Sequence, residues 1–147
     1  MIHLIIGILV VIVNVIIISI TVIIVLRYLF NIESRGRIRK NLLEDIFNLS
    51  ITMLILFFSH LIQIAIWGEL FVLCGEFDEF STAYYHSMVN FSSLGYGDIV
   101  MSKSWRLLGA IEAVNGILMF GVSTAVFFSI LRYIFQGRVS DMKKRIK

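Results

Sequence analysis

Three long stretches of the chain carry almost no charge, and they decide what it can fold into. Met1 to Leu26 is a run of 26 residues without Asp, Glu, Lys or Arg. Ile46 to Gly68 is a run of 23 between Asp45 and Glu69, and Leu107 to Leu131 a run of 25 between Arg106 and Arg132, broken only by Glu112. About 20 apolar residues suffice for a helix to cross a bilayer. In hydrocarbon a lone apolar segment satisfies its backbone N–H and C=O groups only as a helix. The expectation is an all-α integral membrane protein with three transmembrane helices. The first run lacks a basic leader and an A-x-A-like cleavage site, so it reads as a retained helix rather than a signal peptide.

The bases set the expected topology. Arg27, Arg35, Arg37, Arg39 and Lys40 sit in one stretch and Arg132, Arg138, Lys143, Lys144, Arg145 and Lys147 in another; only Lys103 and Arg106 lie elsewhere. Bases flanking apolar spans mark cytoplasmic loops rather than a nucleic-acid surface. Both clusters are therefore placed inside, the N-terminus outside, and the segment Phe71 to Trp105 outside. The outer segment holds Glu76, Asp78, Glu79 and Asp98, an acidic balance that fits. Arg35, Arg37 and Arg39 recur every second residue outside any span, so they read as membrane-surface anchors rather than a voltage sensor.

Within the outer segment, Phe80 to Ser92 is apolar, aromatic and uncharged. Ser81 or Thr82 is the expected N-cap of a short helix, with Asp78 and Glu79 beside its positive end. A dozen residues cannot cross, so the helix reads as re-entrant. Ser92-Ser93-Leu94-Gly95-Tyr96-Gly97-Asp98 follows it directly.

A span, a half-helix, a Ser-Leu-Gly-Tyr-Gly-Asp loop and a second span resemble the pore module of potassium channels. The family pattern is Thr-Val-Gly-Tyr-Gly-Asp, and Ser93 and Leu94 are the departures from it. Trp105 falls where the family often carries a Trp at the start of its inner helix. The resemblance covers about residues 46–135 and lies nearest to small prokaryotic ion-channel-family proteins with three spans. The extra first helix lies outside it; the charge-free runs and basic clusters give an additional N-terminal helix over 1–30, a basic cytoplasmic linker over 31–45 and a basic cytoplasmic tail over 136–147, and the resemblance implies a pore domain over 46–135. Inside the pore domain it implies an outer helix over 46–72, a pore helix over 80–92, a filter over 93–98 and an inner helix over 105–135.

What the resemblance implies for function is a homotetramer in the cell membrane that conducts K+ passively. Backbone carbonyls of Ser93, Leu94, Gly95 and Tyr96, with Gly97 supplying freedom of backbone angle, would replace the ion's water. Tyr96 would brace the filter from behind, and Asp98 would sit there too, held by Tyr85 or His86. Ser93 lacks the methyl group that stiffens Thr, and Leu94 is bulkier toward its tip than Val. A weakly selective cation channel, a non-conducting accessory subunit and a potassium transporter with filter-like loops are the alternatives. The transporters carry four such modules in one chain, against one here.

In the third span Gly109, Gly116, Gly121 and Ala125 fit close helix packing; Gly116 also stands where the family often has a hinge. The family-like register turns Ile117, Phe120 and Thr124 toward a cavity, or else toward a neighbouring subunit. Glu112 is the one acid inside a span. Matching depths along antiparallel helices gives it Gln63, His60 or Asn115 as hydrogen-bond partner, unless it faces the ion path. His60 reads as a buried, satisfied histidine more readily than as a proton sensor. Cys74 is the chain's one cysteine, an inert thiol or an intersubunit bridge. No cluster of Cys, His, Asp and Glu has metal-site spacing, and no nucleophile–base set appears. No enzyme and no cofactor beyond the permeant ion is therefore expected, and membrane lipid is the surrounding partner.

Overall fold

A computed structural model of the chain describes residues 2–34 and 42–146, with the side chains of residues 3–34 and 42–136. The described residues form four helices and no strand: α1 (Ile2–Ser34), α2 (Leu42–Leu73), α3 (Phe80–Phe91) and α4 (Arg106–Ile146). Over His3–Ser34, Leu42–Leu73 and Arg106–Gln136 three of them are long and apolar enough to cross a membrane. At 1.5 Å per residue each is about 47 Å long, well over a hydrocarbon core of about 30 Å. Their ends therefore reach past the core or the helices tilt.

α2 and α4 form the central pair. α3 packs on both, and α1 packs on both, but α1 and α3 do not meet. The core between them holds Trp67 and Phe71 from α2, Phe91 from α3 and Leu108 and Met119 from α4. A smaller cluster of Val25, Ile130 and Ile134 joins α1 to α4 further along.

The polarity of the helices is inverted relative to a water-soluble bundle. Ile5, Leu9, Ile12 and Ile16 face outward on α1, while Asn14 and Thr21 are buried. On α2, Leu54, Phe57, Phe58 and Ile62 face outward while Asn48, Thr52, Ser59 and Gln63 are buried. Apolar side chains gain little by leaving lipid, so polar residues between the helices add hydrogen bonds to the apolar core contacts. Thr21 and Ser59 share a hydrogen bond of 2.8 Å, Tyr28 donates to Asn48 Oδ1 at 3.2 Å, and His60 Nε2 meets Ser123 Oγ at 2.9 Å. Tyr133 donates to Glu33. These ties hold α1 to α2, α2 to α4 and α4 to α1.

Several boundaries differ from expectation. α2 begins at Leu42 rather than 46, so Glu44 and Asp45 occupy its first turn, where carboxylates favour the positive helix end. α4 continues to Ile146 through the stretch assigned to a tail, a stretch without proline to stop it. The expected cap of α3 is corrected. Its N-cap is Glu79, whose side chain makes no cap bond, and Ser81 Oγ instead donates to Glu79 Oε2 at 3.2 Å. The cap lies two residues before Ser81 and three before Thr82. Arg35, Arg37, Arg39 and Lys40 lie outside the described residues, as do the side chains of Arg138, Lys143, Lys144, Arg145 and Lys147.

Candidate functional site

α2 and α3 end in the same way. After α2, Gly75 N–H bonds Val72 O at 2.9 Å and Glu76 N–H bonds Phe71 O at 3.0 Å, with Gly75 at φ +72°. After α3, Ser93 N–H bonds Asn90 O at 2.8 Å and Leu94 N–H bonds Val89 O at 3.0 Å, with Ser93 at φ +58°. This paired closure satisfies the last helix carbonyls through one left-handed residue. Gly75 takes that conformation freely. Ser93 carries a Cβ, so the same turn costs it about 1–2 kcal/mol.

From Ser93 the backbone keeps alternating. Gly95 stands at φ +60° and Gly97 at φ +73°, while Leu94 and Tyr96 between them have no positive φ. Residues 92–98 are exposed in the single subunit, Leu94 by 55% and Tyr96 by 68%.

The segment is anchored at its far end. Tyr85 Oη donates to Asp98 Oδ2 at 2.7 Å. That bond holds the Asp98 carboxyl below its ordinary range and raises the Tyr85 phenol. His86 serves elsewhere. Its Nδ1 faces Ile99 O at 3.1 Å and its Nε2 faces the Asn90 amide Nδ2 at 2.9 Å. A carbonyl on one side and an N–H donor on the other fix the neutral ring with its proton on Nδ1. Burial beside Phe71 and Phe77 lowers the His86 pKa. One step out, the Glu76 carboxylate accepts Ser102 N–H at 2.7 Å and Ser102 Oγ–H at 2.6 Å, tying the end of α2 to the loop before α4. Cys74 nearby is half-buried, its thiol pushed up by burial and by Glu76.

α3 is seated by close backbone approaches. A Cβ on Gly68 of α2 would meet Tyr84 Cα at 3.1 Å, and one on Gly116 of α4 would meet Phe91 O at 1.9 Å. Gly116 thus lies inside an unbroken helix at the contact with the last turn of α3.

Glu112 requires a correction. Its carboxyl is fully buried and meets Ser87 Oγ of α3 at 2.5 Å, not Gln63, His60 or Asn115. Gln63 donates to Ser59 at 3.3 Å, His60 meets Ser123, and the buried Asn115 amide has no partner among the described residues. Depth along a helix follows from residue count, but the direction a side chain faces depends on how the helices pack. Nor does Glu112 lie on the open face of α4. That face carries Ile117, Gly121, Thr124 and Phe128, all exposed. Phe120 is exposed as well, and its ring also packs on His60 and Phe91, with centroids 4.7 and 5.6 Å away. Ser87, Asn90 and Phe91 were missed from sequence. Their i, i+3, i+4 spacing puts them on one face of α3, and that spacing was the available signal.

The model of the ion channel family matches residues 50–133, which takes in most of α2, all of α3, the segment after it and the apolar part of α4. Neither a curated protein nor a solved structure matches the chain. The family match spans more than half of the chain and coincides with the elements just described, so this multi-pass membrane protein belongs to the ion channel family.

Proposed function

We propose that the chain is one subunit of a homotetrameric potassium channel, with α3 as pore helix and Ser93, Leu94, Gly95, Tyr96 and Gly97 as its selectivity filter. The observation that carries this reading is the alternating sign of φ from Ser93 to Gly97. In an extended strand successive carbonyls point to opposite sides. Alternating left- and right-handed residues rotate successive peptide planes so that their carbonyls share a side. A K+ ion needs such a row, repeated around an axis, to replace its water. One copy cannot surround an ion, and the exposed Leu94 and Tyr96 give adjacent subunits an apolar surface to cover. The exposed Ile117 and Thr124 then face the cavity or a neighbouring inner helix.

Orientation follows from charge. Arg27 and Arg132 lie at the end of the bundle where Glu33 meets Tyr133, while Glu76 and Asp98 lie at the other. The basic end is cytoplasmic and the filter opens outward. K+ then moves down its gradient without an energy source.

Flux from purified protein in liposomes tests the reading. K+ efflux with Na+ permeation at least about tenfold lower, a difference of about 1.4 kcal/mol between the ions, is the expected result. Equal fluxes assign a weakly selective cation pore. No flux of either ion in a stable tetramer rejects the channel reading.

The Tyr85–Asp98 bond carries a pH prediction. A carboxyl whose folded pKa is depressed contributes stability above its unfolded pKa, and that contribution is lost as pH falls through the folded value. Tyr85→Phe removes the first cause of the depression. The external acid midpoint of K+ flux should therefore move to higher pH in Tyr85→Phe. An unchanged midpoint means that Asp98 does not support conduction through Tyr85.

A further inference from the structure

Ser87 has one hydroxyl proton and two acceptors. Its Oγ lies 2.8 Å from Ile64 O of α2 and 2.5 Å from Glu112 Oε1 of α4. Ser87 itself is fully buried, as is Glu112. Both contacts are good only if the second proton comes from the carboxyl. The other carboxyl oxygen points the same way: Glu112 Oε2 is buried without a hydrogen-bond partner among the described residues. Among the described residues no basic side chain meets this carboxyl; the groups around it are Ser87 and Asn90. A full negative charge enclosed without a cation and with one oxygen unbonded is among the costliest things a protein interior can hold.

We propose that Glu112 is a positioning residue that acts as an un-ionised hydrogen-bond donor, its Oε1–H donating to Ser87 Oγ while Ser87 donates to Ile64 O. The relay joins three helices through one side chain of α3. It lies two turns before the filter and on the face that also carries Asn90, whose amide reaches His86 and, through it, the Ile99 carbonyl after the filter. Glu112 therefore holds the filter's supporting helix from behind. It touches no ion, and its effect on permeation passes through α3. This assignment rests on the reading of residues 93–97 as the ion path.

Glutamine is the neutral analogue: its Nε2–H can donate to Ser87 as the acid does, whereas alanine leaves Ser87 and the space around it unfilled. Full-length wild type, Glu112→Gln, Glu112→Ala and Ser87→Ala are compared in liposomes for K+ over Na+ permeability. The purified wild type and Glu112→Gln are compared by difference infrared spectroscopy at neutral pH. The expected result is a carbonyl band of an un-ionised carboxylic acid in wild type that vanishes in Glu112→Gln. Glu112→Gln should keep the permeability ratio within about threefold, while Glu112→Ala and Ser87→Ala lower it about tenfold, the scale of one buried group left unbonded. Absence of the band, or a Glu112→Gln ratio as low as that of Glu112→Ala, overturns the proposal. If Glu112→Ala does not assemble, the band and the Gln ratio set against wild type decide. If wild type conducts no ion, the channel reading fails, and the band alone still decides whether Glu112 holds its proton.

Discussion

Gly116→Ala is expected to weaken the proposed tetramer and to abolish the preference for K+ over Na+ proposed for it. The added methyl would stand 1.9 Å from Phe91 O and 2.7 Å from Phe91 C. Both are backbone atoms, so no side-chain rotation relieves the clash. Either α3 lifts off α4 by an ångström or more, or α4 bends. Overpacking of this kind costs about 1–3 kcal/mol per site, or roughly 4–12 kcal/mol over the four subunits of the proposed tetramer. Ser93 lies two residues beyond Phe91, so the displacement passes into the first turn of the filter. Tetramer stability by size-exclusion after heating and the K+ over Na+ flux ratio measure the two effects. A second variant separates this cause from a hinge. Phe91→Ala combined with Gly116→Ala should not rescue either measurement, because the clash is with the backbone of residue 91 and not its ring. A hinge role alone would change how readily the pore opens while leaving the flux ratio intact. Gly116→Ala with wild-type stability and flux ratio would remove α3 seating from the account.

That contact marks the border of what the sequence makes legible. The three spans follow from charge-free runs, because hydrocarbon leaves the backbone no choice but a helix. The short helix over Phe80–Phe91 follows from an uncharged stretch too short to cross. The residues around Gly95, Tyr96 and Gly97 are legible as a string because their order is the pattern. Contacts set by rotation about a helix axis are another matter. Glu112 and Gln63 are at matching depths, yet Glu112 faces α3, and nothing in residue count encodes that turn. Phe120 shares a nominal stripe with Ile117 and Thr124, but a large ring reaches sideways to His60 and Phe91. The left-handed Ser93 is illegible for a different reason. Serine does not advertise positive φ as glycine does, and only the closure of α3 and the alternation beyond it demand that angle.

Gly95→Ala should fail by the opposite route to Gly116→Ala. Among the described residues of one subunit nothing lies within 4 Å of a Cβ built on Gly95, so no clash arises within the subunit, but its φ is +60°. An L-residue held there costs about 1–2 kcal/mol, and in the proposed tetramer four copies would meet at one axis, giving roughly 4–8 kcal/mol for the proposed filter. The chain escapes that cost by returning residue 95 to negative φ. The alternation of sign is then lost at its middle member, and the residue 95 carbonyl leaves the row. K+ flux should fall by about a hundredfold or more, since a bias of only about 2.7 kcal/mol over the whole filter, less than the four-subunit total, already leaves about one filter in a hundred intact. Gly75→Ala is the matched control. Gly75 stands at φ +72° with equally open space, but it closes α2 away from residues 93–97. It should destabilise the end of α2 by about 1–2 kcal/mol, seen as a lower melting temperature, and leave K+ flux near wild type. If the two variants lost flux equally, conduction would depend on general loop stability, and the row of carbonyls would no longer be needed to explain it.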